Sequence, residues 1–230
     1  MGAGSAIATP IVVPPSLSPG STYRLIFVTG GSSYVDATST SIADYNSFVS
    51  SIAGGVSELA ALGVTWTAVV STSAVDALAN VGGPTGDPIY TTNGNEVAAD
   101  LSGLFSGALL NAADGDQDGL PFGGQYAWTG SHLDGTNFLG SELGASSPEY
   151  GQVGDTTGAW LEFSGVGIDP STQLAIYGVS SELTVPTPST SGVPEPSSVG
   201  LMAIGGMVLA VLKRMSRPGD SEPRQGKVTG

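Results

Sequence analysis

Three aspartates at alternate positions are the sequence feature with the most definite chemistry. Asp114, Asp116 and Asp118 are separated by single residues and are followed by Gly119. Carboxylate oxygens are the ligands that Ca²⁺ prefers, and a glycine after them permits the sharp bend that turns such side chains toward one ion. The next residue, Leu120, would offer its main-chain carbonyl as a further ligand. The pattern therefore predicts a calcium site formed by Asp114, Asp116, Asp118 and Leu120.

This acidic segment carries only part of a calcium-binding loop. The order Asp-x-Asp-x-Asp-Gly is similar to the first half of an EF-hand loop, but position twelve is Gln125 where that loop has a bidentate glutamate. A looser site would take one remote carboxylate, from Asp134, Glu142 or Glu149. The alternative is a solvated acidic turn without a metal. We expect the segment to lie outside the core, so that replacing Asp116 by alanine would change the stability of the metal-free protein little.

Groups that could perform catalysis are scarce. The chain has no cysteine, which excludes disulfides, thiol catalysis and thiolate metal sites, and its one histidine is His132. Ser131, His132 and Asp134 are neighbours in the sequence, but a catalytic triad is recognised by geometry in space and not by adjacency along the chain. We therefore assign no catalytic residue and expect a protein that is not an enzyme.

The three tryptophans, Trp66, Trp128 and Trp160, allow two interpretations. If their rings are exposed together, they form a platform on which sugar rings stack. If they are buried, their large apolar area packs in the core, and this is the interpretation that we favour. Glycan binding through Trp128 or Trp160 is kept as an alternative to be tested by the fold.

Charge is distributed very unevenly along the chain. Residues 1–197 carry 18 acidic side chains and one basic side chain, that of Arg24. An acidic body of this kind repels phosphate backbones, which excludes nucleic-acid binding, and it attracts cations or cationic polymers. The remaining basic residues are Lys213, Arg214, Arg217, Arg224 and Lys227.

The C-terminal part contains three features in a fixed order. Val193, Pro194, Glu195, Pro196 and Ser197 come first, and the prolines hold this stretch extended. An uncharged apolar run over residues 199–212 follows, and then a basic cluster at Lys213, Arg214 and Arg217. The 16 residues from 197 to 212 would span about 24 Å as a helix, somewhat less than a hydrocarbon core. The alternative of a buried core helix would require a polar stripe, and the run has none. The positive cluster predicts a transmembrane helix with a cytoplasmic C-terminus.

This order resembles a PEP-CTERM sorting signal of Gram-negative bacteria. The resemblance implies that an exosortase, a membrane-embedded cysteine transpeptidase, recognises residues 193–197 and that the body is exported to a surface rich in exopolysaccharide. Such signals end soon after the basic cluster, whereas 13 further residues follow here, from 218 to 230. Near the other end, Ala6-Ile7-Ala8 is similar to a signal-peptide cleavage site, from which we expect the natural start to lie upstream.

The body reads as an α+β domain. Near-continuous apolar residues predict strands at 23–29 and 174–179, the first buried on both faces. Apolar residues at spacings of three and four predict a main helix over 41–62, with a kink or split at Gly54-Gly55. A further strand is predicted at 65–71, and the chain beyond Gly82 consists of short apolar pieces between polar, glycine-rich loops.

This layout resembles a C-type-lectin-like domain over residues 22–186. The resemblance rests on the order strand, helix, strand, then Trp128-Thr129-Gly130, Trp160 and a closing strand. It implies that the two ends of the chain pair and that long irregular loops lie on top. The disulfides of that family and its Glu-Pro-Asn and Trp-Asn-Asp motifs are absent from the sequence, so no sugar-binding residue is transferred.

These observations together predict an exported protein of five segments. They are a lead-in (1–20), an extracellular α+β domain with mixed or antiparallel strands (21–185), a Ser/Thr/Pro stalk with the sorting motif (186–197), a transmembrane helix (198–212) and a basic cytoplasmic tail (213–230). The predicted function is a non-enzymatic structural or binding role at the cell surface or in the extracellular matrix. The alternative is a membrane-anchored glycan-binding module or carbohydrate-active enzyme.

Overall fold

The structure is a computed structural model that describes residues 9–83, 86–123, 125–163 and 167–188. Within these residues the chain is an α+β fold with one mixed sheet and few helices. The strands are β1 (Thr22–Val28), β2 (Trp66–Ala68), β3 (Ile89–Thr91), β4 (Glu96–Ala98), β5 (Tyr126–Trp128), β6 (Tyr150–Gln152), β7 (Ala175–Ser180) and β8 (Leu183–Thr184). The helices are α1 (Ile42–Gly55), α2 (Ser57–Ala60), α3 (Ala77–Val81) and α4 (Leu101–Leu104), and a 3₁₀ turn covers Gly158–Trp160.

The two ends of the body pair at the centre of the sheet. The strand order is β4-β3-β1-β7-β5-β6, with β2 added on β7 and β8 on β1. β1 and β7 are antiparallel, with Ile26 opposite Val179, while β3 on β1 and β5 on β7 are parallel. The strands predicted at 23–29 and 174–179 are therefore confirmed as β1 and β7.

The main helix is divided where the two glycines predict a break. α1 ends at Gly55, and Val56 has extended backbone angles (φ −105°, ψ 117°) before α2 begins at Ser57. α1 buries Tyr45, Val49 and Ala53 against the sheet. Two consecutive glycines interrupt the helix because each gives up more backbone freedom there than any other residue.

Apolar clusters cover both faces of β1, as its sequence predicts. Tyr23, Leu25 and Phe27 belong to the cluster that packs with α1, α2 and β2. Ile26 and Val28 point the other way, into a cluster built by α3, α4 and the strands β3, β4, β5 and β7. Since successive side chains of a strand point to opposite faces, a strand between two clusters is largely apolar on both faces, and Arg24 is the charged exception in β1, where it is 2% exposed.

The described residues between 82 and 163, here called the middle segment, have little regular structure. Each of the four strands in it, β3 to β6, has three residues. Much of the segment is placed by buried polar side chains and by turns, and it is where the residues with candidate chemistry lie.

The chain divides into two units, Met1–Thr187 and Pro188–Gly230. Among the residues that the structure describes, no helix has both the length and the apolar character needed to cross a membrane. The predicted sorting motif at 193–197, the predicted transmembrane helix at 198–212 and the basic cluster at Lys213, Arg214 and Arg217 lie outside the described residues.

Candidate functional site

The acidic segment forms a closed turn against the end of β1. The main-chain amide of Asp116 donates to the carbonyl of Leu120 (2.8 Å), and that of Phe122 donates to the carbonyl of Asp114 (2.6 Å). Gly119 has φ +78°, the left-handed conformation that glycine adopts without strain, and this is the bend that its position in the sequence predicts. The amide of Val28 in β1 donates to the carbonyl of Gly115 (2.9 Å), which ties the turn to the sheet.

Asp116 is buried, which corrects the expectation that this segment lies outside the core. Its side chain is 6% exposed, and its Oδ1 accepts hydrogen bonds from the amides of Asp118 (2.9 Å) and Leu120 (2.8 Å). The Thr92 hydroxyl donates to the Asp116 carbonyl (2.6 Å). Asp116 packs so closely on Gly30 that a Cβ at that glycine would lie 2.8 Å from Asp116 Oδ2. The sequence does not show this, because it depends on which backbone groups the carboxylate meets.

Burial also changes the protonation of Asp116. Desolvation raises its pKa, the amides of Leu120 and Asp118 oppose the shift, and the charge of Asp118 adds to it. A carboxyl group buried beside a second carboxylate has a higher pKa than one in water.

The calcium ligands predicted from the sequence have separate protein partners. Asn93 Nδ2 donates to Asp114 Oδ1 (3.0 Å), Gln117 Nε2 donates to Asp118 Oδ2 (3.0 Å), and the Leu120 carbonyl accepts from Asp116. Across the described residues, no three acidic or histidine side chains are grouped so that they could hold a metal ion. Calcium binding at Asp114, Asp116, Asp118 and Leu120 stays a prediction, and the Leu120 carbonyl, which accepts one hydrogen bond from Asp116, keeps a second lone pair for a metal.

The three remote carboxylates are each engaged within their own parts of the fold. Asp134 Oδ1 accepts from the amide and hydroxyl of Thr136 (3.0 and 2.6 Å), and Glu142 Oε2 accepts from the amide of Gly140 (2.5 Å). Glu149 is fully buried, and its Oε1 accepts from the amide of Phe163 (3.0 Å). These bonds give the three residues structural roles in loops.

The Ser-His-Asp neighbours do not form a triad. The buried Ser131 hydroxyl donates to the Thr129 carbonyl (2.8 Å) and lies 2.8 Å from the Ser71 hydroxyl. His132 Nδ1 lies 3.2 Å from Glu162 Oε2, which also accepts from the amide of Leu133 (3.1 Å). The serine oxygen is thus committed to the core while the imidazole lies near the surface, where its side chain is 40% exposed.

The tryptophans are core residues, so a platform made by Trp128 or Trp160 is excluded. Both are 0% exposed, and Trp66 is 5% exposed. Trp128 Nε1 donates to the carbonyls of Val35 (3.0 Å) and Thr172 (3.2 Å). Two other aromatic side chains, Tyr126 (40% exposed) and Phe163 (37%), are exposed. They are not predicted as site residues above, although Tyr126 alternates with Trp128 in the same strand and so lies on the same face.

No family model matches this chain, and no curated protein matches it in sequence. The similarity of the C-terminal part to a PEP-CTERM signal and that of the body to a C-type-lectin-like domain therefore rest on the residues described above.

Proposed function

We propose that this chain is an exported, non-enzymatic protein of the cell surface or extracellular matrix, delivered by a C-terminal PEP-CTERM signal that an exosortase recognises. The observation that carries the proposal is the order of three features: the extended motif at 193–197, the uncharged run at 199–212 and the cluster at Lys213, Arg214 and Arg217. The segregation of charge supports it, because the strongly acidic body is separated from a basic end by an apolar run, as the positive-inside rule expects.

The proposal assigns a C-type-lectin-like arrangement to the body. Its support is the antiparallel pairing of β1 with β7, together with the pairing of β8 with the start of β1, which brings the two ends of the domain side by side. In the proposal, the stalk at 186–197 joins this body to the predicted transmembrane helix at 198–212. The pairing of the domain ends supports a structural or binding role.

Fractionation tests the sorting part of the proposal. We would express the whole chain in a Gram-negative host that carries an exosortase and in the same host without it, and follow the body with an antibody. The expected result is a shortened body at the surface or in the medium of the first host, and a full-length, membrane-bound chain in the second. A full-length body in the cytoplasm of both hosts would contradict the proposal.

A matched pair of variants makes the test specific. Replacing Pro194, Glu195 and Pro196 by alanine should prevent shortening, because the extended acidic motif is the element that the enzyme recognises. Replacing Pro186 and Pro188 by alanine changes prolines of the same stalk outside the motif and should leave shortening intact. Equal processing of both variants would show that the motif is not what is recognised.

A further inference from the structure

Three aromatic side chains form a cluster on the surface of the middle segment. The ring centroids of Tyr126 and Tyr150 lie 5.0 Å apart, those of Tyr126 and Phe163 lie 5.3 Å apart, and those of Tyr150 and Phe163 lie 5.8 Å apart. Tyr126 and Phe163 are more than a third exposed. We call Tyr126, Tyr150 and Phe163 the aromatic face. The three rings are inclined to one another by 74°, 45° and 42°, so each exposed ring offers its own surface and the three do not form a flat plane.

The aromatic face is held rigidly from beneath. Tyr126 is opposite Gln152, and Trp128 is opposite Tyr150, in the antiparallel pair of β5 and β6. Cross-strand partners and alternate residues of a strand share one face, so these four side chains lie together. Trp128, which is fixed by its two indole hydrogen bonds, packs edge-on against Tyr150 at 6.5 Å. Tyr126 thus stands at the exposed end of an aromatic row whose other end is in the core.

The edge of the sheet beside this face is closed to another strand. The amide of Phe163 donates to the carbonyl of Tyr150 in β6 (3.1 Å). The chain at Trp160 also lies against β6, because a Cβ at Gly151 would come within 1.8 Å of the Trp160 carbonyl oxygen. A peptide that binds by strand addition needs free backbone groups along an edge. The side chains of the aromatic face are therefore what is left for a partner to contact.

The negative charge of the body favours a positively charged partner. Residues 1–197 carry 18 acidic side chains, and their one arginine, Arg24, is 2% exposed. Anionic polymers are repelled by such a surface, and cations are concentrated near it. The face of an aromatic ring is itself negative and attracts ammonium groups as well as weakly positive C–H bonds.

We propose that the aromatic face of Tyr126, Tyr150 and Phe163 binds an amino-sugar polysaccharide that carries free ammonium groups. A sugar ring in this position stacks its C–H face on an exposed ring of the aromatic face. Its ammonium group lies in the field of the acidic body. The Gln152 side chain shares this face, and its amide supplies a hydrogen-bond donor and acceptor for sugar hydroxyls. The proposal names a ligand for the exported binding role and in that respect rests on the proposed function.

Titration calorimetry with a glucosamine hexamer tests the proposal. The whole chain is used, in a non-ionic detergent without a sugar head group, at a pH where the amines are protonated. Tyr126→Ala and Phe163→Ala should each weaken binding about tenfold, because each removes one exposed ring of the aromatic face. Tyr126→Phe keeps the ring and should retain binding. Leu139→Ala is the matched control, since Leu139 is an exposed apolar side chain (87% exposed) outside the aromatic face.

Comparison ligands separate sugar stacking from charge. The N-acetylated hexamer should bind more weakly than the glucosamine hexamer, and a lysine hexamer, which has ammonium groups but no sugar ring to stack, should lose much less affinity on Tyr126→Ala than the glucosamine hexamer does. The proposal is overturned if the glucosamine hexamer does not bind, if both alanine variants bind it as the parent does, if acetylation has no effect, or if the lysine hexamer shows the same dependence on Tyr126. None of these outcomes bears on fractionation, so a failure here leaves the sorting proposal standing, and a failure of sorting leaves the binding result interpretable.

Discussion

The sheet formed by the two chain ends and the middle segment are stabilised in different ways. β1 and β7 have seven and six residues, pair directly and are enclosed by apolar clusters on both sides. The middle segment has strands of three residues; it contributes apolar side chains such as Trp128 and Trp160 to the same clusters, and in addition it is fastened by single polar side chains, of which Asp116 and Glu149 are both buried. In the first region, stability comes from many similar apolar contacts. In the second, individual groups fix whole loops.

The two regions differ in how strictly they require particular residues. A strand between two apolar clusters needs only a run of apolar residues, and many replacements of similar size keep it. A loop that packs on the sheet through a buried carboxylate needs that carboxylate and a glycine opposite it, as at Asp116 and Gly30. We therefore expect single substitutions at such points of the middle segment to cost as much as substitutions in a core, although the local structure is irregular.

The largest effect is expected for Gly151→Ala in β6. The new Cβ would meet the Trp160 carbonyl oxygen at 1.8 Å and its carbonyl carbon at 2.4 Å, and these are backbone atoms that cannot rotate away. The chain that covers β6 must therefore retreat, at a cost of about 3 kcal/mol in the free energy of unfolding. Urea unfolding measures it. Gly123→Ala is the control in the same segment, since nothing lies within 4 Å of the position of its Cβ. Equal stabilities of the two variants would show that the close contact at Gly151 does not control stability.

Asp116→Ala should lower the free energy of unfolding by about 2 kcal/mol at neutral pH. The change removes the carboxylate that accepts from the part-buried amides of Asp118 and Leu120, and a donor left without its acceptor costs about 1–3 kcal/mol. Part of this cost is offset because a carboxylate with a raised pKa is removed. Unfolding in urea with a calcium chelator present measures the effect. A decrease of only a few tenths of a kcal/mol in the free energy of unfolding would contradict this prediction and would favour a turn that adds little to the core.

The calcium prediction is tested with a variant that spares the buried carboxylate. If the acidic turn binds calcium with the affinity common in extracellular modules, 10 mM calcium should stabilise the protein by about 1.4–2.7 kcal/mol. Asp118→Asn should remove this gain, because it deletes one charged ligand while keeping a side chain of the same shape. Thermal melts of both proteins in chelator and in calcium provide the measurement. Identical melting temperatures of the parent chain in the two buffers would favour the plain acidic turn.

Stability should also depend on pH through Asp116. Because burial raises its pKa, the folded state holds the proton more tightly than the unfolded state does. The stability from this group is fully present below the ordinary aspartate pKa and is lost as the pH rises through the raised value. Asp116→Asn cannot ionise, so its stability relative to the parent should increase as the pH rises from about 4 to 6. Urea unfolding across this range measures the slope.

Asp36 provides a control of opposite sign for the pH series. The hydroxyl and the amide of Thr38 donate to its carboxylate and lower its pKa. Its contribution to stability is present above the ordinary aspartate pKa and is lost as the pH falls through the lowered one. Asp36→Asn should therefore fall behind the parent as the pH rises from below the lowered pKa of Asp36 to above the ordinary aspartate pKa, so the series for this variant extends to more acidic pH. If Asp116→Asn showed the same trend as Asp36→Asn, the assignment of the raised pKa to Asp116 would be wrong.

The sequence predicts the first region far better than the second, for a physical reason. β1, β7 and the break at Gly54-Gly55 are encoded by local patterns of apolar residues and glycines. Whether Tyr126 or Trp128 is exposed depends on how far along β5 the domain surface is reached, and both residues lie on the same face. In the same way the alternation of aspartates predicts an inward bend at Gly119, but not that Asp116 would be buried and accept from the amides of Asp118 and Leu120.

The smallest effect, and the one of opposite sign, is expected in the region that the sequence predicts well. Gly54 lies near the end of α1, and a Cβ there meets no atom within 4 Å. Alanine keeps the helical conformation and reduces the freedom of the unfolded chain, so Gly54→Ala should stabilise the protein by about 0.5–1 kcal/mol. Urea unfolding measures it, with Gly63→Ala as the control. Gly63 also has space around its Cβ, but its φ of +64° makes alanine unfavourable there. Destabilisation by Gly54→Ala would mean that the break between α1 and α2 needs both glycines, and that this region too depends on single residues.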